Sequence, residues 1–132
     1  MKTKILTVLA GGLLVAVTPV LAHHSFAAEY DANKPITLTG TVTKVEWMNP
    51  HARFYMDVKD KDGKVTNWEF ELGSPNGLMR QGWTRSSLKP GDEVNVEGFL
   101  AKDGSALANA RNVKTAEGKK LFAGSATDDA PK

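Results

Sequence analysis

The chain has 132 residues, 17 Lys and Arg against 15 Asp and Glu, and no cysteine. That length supports one domain with a modest core, and the missing cysteines exclude disulfides and a lipoprotein anchor. The nearly balanced charge gives no strongly basic surface that would argue for a polyanionic partner.

The first 22 residues read as a secretory signal. Lys2 and Lys4 give a positive start, residues 5–20 are apolar apart from Thr and Gly, and Pro19 precedes the small-residue site Val20-Leu21-Ala22. The apolar run falls short of the roughly 20 residues that span a bilayer, and no positive stop-transfer cluster follows it. Cleavage after Ala22 is therefore expected over a retained anchor, with export to the periplasm or exterior of a bacterial cell and no membrane span afterwards. Cleavage removes two lysines and no acid, which leaves 15 basic and 15 acidic side chains, a formal charge of zero. No basic stripe then remains to argue for nucleic acid or for an anionic membrane surface.

Residues 23–35 form an N-terminal arm that opens on His23 and His24. The barrel domain is expected over residues 36–114. Its first strand alternates with period two: Ile36, Leu38, Gly40 and Val42 share one face, and the intervening threonines the other. The phase then slips, because Val45 and Trp47 are apolar at odd positions. One residue near Thr43-Lys44 must be extra, the mark of a β-bulge, and a strand bent there can serve two sheets in turn.

After the Asn49-Pro50 break, Ala52, Phe54, Met56 and Val58 alternate with polar residues, and Asp62-Gly63 makes a hairpin turn. The third strand points Trp68, Phe70 and Leu72 inward. Glu69 and Glu71 point outward, where they face Arg53 and Lys59 as solvated pairs. Ser74-Pro75 starts a short helix with Gly82 as its stop, and Leu78, Met79 and Trp83 give it an apolar side. Thr84 caps a further turn, and Lys89-Pro90-Gly91-Asp92 leads into a fourth strand carrying Val94, Val96, Gly98 and Leu100. Asp103-Gly104 turns into a fifth strand over residues 106–113, whose alanines suit a crowded interior. Residues 115–132 read as a flexible tail. The sum is an all-β fold: a small five-stranded OB-like barrel with a short helix between strands 3 and 4. An immunoglobulin-like sandwich would need about seven strands.

His24-Ser25-Phe26, Gly40-Thr41-Val42, Trp47-Met48-Asn49-Pro50-His51 and Leu88-Lys89-Pro90-Gly91-Asp92 together resemble a family of small exported bacterial proteins that carry a domain of unknown function. The resemblance implies export and a β-barrel, and no activity.

The three histidines carry the chemistry. Cleavage would give His23 a free α-amine, and an amine and imidazole on one residue can chelate a metal. His51 sits in the corner between strands 1 and 2. An arm folded back to that corner would gather up to three imidazoles and an amine, a nitrogen-rich set suited to Cu(II), with Zn(II) or Ni(II) as further candidates. Met48, three residues before His51 in a loop, is the candidate soft ligand for Cu(I), whereas Met56 has core parity. Glu29, Tyr30 and Asp31 flank these ligands as outer-shell partners or, as we expect, as a solvated arm. The three tryptophans are core by parity or plug the barrel end. No serine sits in a nucleophile–base arrangement. The leading expectation is thus a periplasmic copper-binding carrier or buffer, not an enzyme, with His23, His24, His51 and Met48 as metal ligands. A metal-free OB adaptor for a periplasmic or envelope protein, and a histidine-brace copper redox enzyme, are the alternatives.

Overall fold

A computed structural model describes residues 26–124. A single helical turn α1 (Phe26–Glu29) leads into a long strand β1 (Tyr30–Glu46). The hairpin β2 (Arg53–Lys59) and β3 (Val65–Glu71) follows, then helix α2 (Pro75–Arg80), β4 (Glu93–Ala101), β5 (Leu107–Thr115) and β6 (Lys120–Phe122). The sheet order is β3-β2-β1-β4-β5-β6, and a parallel pairing of β3 with β5 closes β1 to β5 into a ring. This is the five-stranded OB-type barrel expected from the alternation, with α2 between β3 and β4.

β1 can serve both halves of the barrel because it is bulged where the phase slips. Val42 pairs with Met56 and Lys44 with Tyr55, so Thr43 is the extra residue. The N-terminal half of β1 pairs with β4 and the C-terminal half with β2. Close approach fixes two glycines on the ring. A Cβ on Gly40 would collide with the carbonyl oxygen of Asp57, and one on Gly98 with that of Asn109. A second bulge, absent from the sequence reading, lies on β5. Glu97 pairs with Asn112 and Gly98 with Ala110, leaving Arg111 extra.

The core fills the ring with Val42, Phe54, Met56, Phe70, Leu72, Val94, Val96, Ala108, Ala110 and Val113. Phe54 stacks on Phe70 with ring centroids 5.0 Å apart. Ser74 caps α2 by accepting from Gly77 N, with Pro75 at the first helical positions. Leu78, Trp83 and Leu88 bury against the core below it, and Trp83 Nε1 donates to Phe122 O at 2.8 Å. Trp47 and Trp68 are partly buried against the same cluster, as their parity requires.

Two boundaries differ from expectation. Residues 30–35, expected in the arm, belong to β1. Tyr30 pairs with Ala101 and Pro35 with Phe99, across an irregularity that the alternation from Ile36 onward could not register. The expected flexible tail begins too early, because residues 115–122 form a hairpin that adds β6 to β5. Gly118 supplies the positive φ of that turn, and Leu121 and Ala123 bury their side chains. Among the described residues no helix is long and apolar enough to cross a membrane. The expected signal, residues 1–22, lies outside the described residues.

Candidate functional site

β3 alternates, so Phe70 and Leu72 enter the core while Glu69 and Glu71 turn to the outer face. On an uncovered barrel both acids would be solvated. Glu71 is instead only 6% exposed, because the start of β1 crosses it. The Tyr30 hydroxyl donates to Glu71 Oε2 at 2.9 Å. His51 Nδ1 lies 3.0 Å from the other oxygen, Oε1. Arg53, directly opposite Glu71 in the β2–β3 register, brings Nη2 to 3.5 Å from Oε2. Its Nη1 donates to Glu69, which also receives the Tyr55 hydroxyl at 3.4 Å.

Taking a carboxylate out of water costs several kcal/mol unless partners replace its hydration. Here a phenol, an imidazole nitrogen and a guanidinium surround it, contributed by β1, the β1–β2 corner and β2. Burial, and then the Glu71 carboxylate, push the Tyr30 phenol well above the ordinary tyrosine range, so it remains a neutral donor. Burial opposes the charge on Arg53, but Glu69 and Glu71 outweigh it and raise its pKa.

The segment preceding Tyr30 is held as well. Phe26 stacks on Tyr30, with centroids 5.6 Å apart, and meets Phe99 edge-on at 5.7 Å. The Arg111 guanidinium lies 4.8 Å from the centre of the Phe26 ring. Lys102 N donates to Glu29 O at 2.8 Å, and Lys102 Nζ donates to Ala27 O. The arm from residue 26 onward is therefore packed on β4 and β5, and Tyr30 is core-like and not solvated as expected. Asp31 accepts from Asn33 N in a local turn.

His51 stands in the expected corner, half-buried, beside a cis Asn49–Pro50 bond. Among the described residues nothing engages its Nε2. Met48 is in the loop and 48% exposed, and Met56 is fully buried in the core. His23 and His24 lie outside the described residues, so the expected gathering of three histidines is neither assembled nor broken by this geometry. Among the described residues no group of three or more His, Cys, Asp or Glu side chains is placed to hold a metal. A depression of about 580 Å³ over Thr39, Glu93, Asn95 and Lys114 lies away from this cluster. It offers one acid and one lysine, which neutralise each other, and we place no site there.

Sequence reading missed Glu71. Strand parity assigns it to the outer face, and parity says nothing about what later covers that face. The signal that could have found it is Phe26 and Tyr30, an aromatic pair four residues apart in a short turn, which needs a surface to bury against.

Among solved structures the chain is similar to Rim1, the mitochondrial single-stranded DNA binding protein of S. cerevisiae. They share 9% identity at a TM-score of 0.49, over 63% of this chain and 93% of that one. It is also similar to the N-terminal domain of PriB from Thermoanaerobacter tencongensis, with 19% identity and a TM-score of 0.43, over 64% of this chain and 97% of that one. The strand order and the β3–β5 closure by themselves make the fold an OB-type barrel. No curated protein matches the sequence. The DUF6152 family, a family of unknown function, matches residues 11–110, and the chain belongs to it.

Proposed function

We propose that this is an exported, periplasmic copper-binding protein that carries or buffers the metal. In this reading the ligands are the processed His23 amino terminus, His24 and His51, and Met48 is available to Cu(I). One observation supports it most. His51 presents Nδ1 to a buried carboxylate and leaves Nε2 unengaged among the described residues, which is the usual posture of a metal-binding histidine. The same carboxylate holds Tyr30, so the arm is tied down at the corner where His51 stands.

The outer face of β2 and β3, where OB domains commonly take ligands, carries Arg53, Tyr55 and Lys59 but also Asp57, Glu69 and Glu71. That mixed charge supports a small cation over a polyanion. The test is Cu(II) titration of protein whose amino terminus is His23 by mass, read by electron paramagnetic resonance. Nitrogen hyperfine structure and a submicromolar Kd are expected. Both should weaken in His51→Ala and when one residue is added before His23. Binding unchanged by both alterations would sink this site, and no submicromolar binding at all would turn the reading to a metal-free adaptor.

A further inference from the structure

We propose that residues 26–34 are a releasable strap over the polar outer face of β3 and β5. Arg111 latches it to Ala123-Gly124, the segment after β6, so the two segments open and close together. This inference uses no metal and is independent of the copper reading.

The strap is fastened by side chains more than by strand pairing. Between the pairs Tyr30–Ala101 and Pro35–Phe99, four residues of β1 (31–34) face a single residue of β4, Leu100. Asn33, Lys34 and Pro35 are exposed, and a cavity of about 320 Å³ opens against Phe26, Tyr30, Asp31, Asn33 and Lys102. Interrupted pairing and loose packing are where local opening costs least. What holds the strap is the Phe26 ring against Tyr30, Phe99 and Arg111, and the Tyr30 hydroxyl on Glu71.

The surface under the strap favours release. The buried polar side chains among the described residues are Glu71, Asn109 and Arg111. Ala108 and Ala110 face the core, so Asn109 between them faces outward. It is flanked by Glu71 and Phe99, its partners on β3 and β4, which Tyr30 and Phe26 touch. Asn109 Oδ1 is buried without a hydrogen-bond partner among the described residues. An apolar surface would resist exposure in proportion to its area. Polar groups regain water instead, and the Asn109 oxygen gains a bond it lacks.

Arg111 joins this strap to the other end of the described chain. It is the extra residue of the β5 bulge, and its guanidinium lies 4.8 Å from the centre of the Phe26 ring and 5.5 Å from that of Phe99. Its carbonyl accepts from Ala123 N at 2.7 Å. Gly124 packs so closely that a Cβ there would stand 3.0 Å from Arg111 Nη1. Lifting Phe26 removes one wall around the guanidinium on which Gly124 rests. Ala123 O in turn accepts from Gly73 N at 2.8 Å, which carries the movement to the start of α2.

Native-state amide exchange of the full chain, read residue by residue by nuclear magnetic resonance and corrected for intrinsic rates, is the test. Lys102 N–H, donated to Glu29 O, reports the strap, and Ala123 N–H reports the latched segment. Met56 N–H, in β2, reports the barrel. In wild type Lys102 and Ala123 should exchange at least roughly tenfold faster than Met56. Phe26→Ala should quicken both by roughly tenfold, through the lost ring stacking and cation–π contact, and leave Met56 unchanged. Phe26→Leu, which keeps apolar bulk, repeats the comparison with less risk to the fold. Wild-type Lys102 exchanging only as fast as Met56 would overturn the strap. A Phe26 variant that quickens Lys102 and not Ala123 would overturn the latch, and one that quickens all three alike would overturn both.

Discussion

Glu71 and Leu72 are neighbours in the chain and almost equally buried, at 6% and 2% exposure, yet they are buried for opposite reasons. Leu72 enters a core of Phe54, Phe70 and Leu78, where burial is itself the driving force and scales with apolar area. Glu71 lies on the other side of the sheet, where Tyr30, His51 and Arg53 gather around its carboxylate. Its burial costs free energy that three specific partners must offset. An apolar side chain on the outer face could have carried Phe26 and Tyr30 without any ionic network.

Substitutions on the two sides should separate these mechanisms. Phe70→Ala, on the core side, should cost about 3–5 kcal/mol, because a fully buried ring leaves a cavity; chemical denaturation at constant m-value measures it. On the outer side Glu71→Ala should cost less, about 1–3 kcal/mol, chiefly from the stranded Tyr30 hydroxyl. A loss equal to that of Phe70→Ala would erase the distinction.

Alkaline unfolding sharpens the comparison further. The folded phenol of Tyr30 is held protonated above its ordinary range, whereas an unfolded tyrosine ionises near about pH 10. Its contribution is complete below that pH and is lost as pH rises, because the unfolded state releases the proton first. Stability should fall above about pH 10 in wild type and fall less steeply in Tyr30→Phe, measured by urea unfolding across that interval. The smallest effect on stability belongs to exposed Met48: Met48→Leu should shift it by less than about 0.5 kcal/mol. Its Cu(I) affinity, measured by competition with a chromogenic chelator, should nevertheless drop if the thioether is a ligand.

Much of the barrel was legible because strand parity is a local signal. A bulge near Thr43-Lys44, Ser74-Pro75 as a helix start, and Gly63, Gly91 and Gly104 at turns all follow from residues close in sequence. The start of β1 at Tyr30 was not legible, because residues 31–35 do not alternate cleanly and their pairing with β4 is interrupted. β6 was hidden for a related reason: three residues with one buried leucine give too short a pattern to stand out from a polar end. The corner histidine could be singled out by residue type and placement. The carboxylate that receives it could not, since 20 residues and a whole hairpin separate them.

By itself, then, the sequence determined an all-β barrel with a bulged first strand, and put His51 in the corner after that strand, because alternation and turn chemistry act over a few residues. Only the tertiary structure decided that Glu71 is buried and shared between Tyr30 and His51. That outcome depends on which segment crosses the outer face of β3, a contact between residues 41 positions apart that no local pattern encodes.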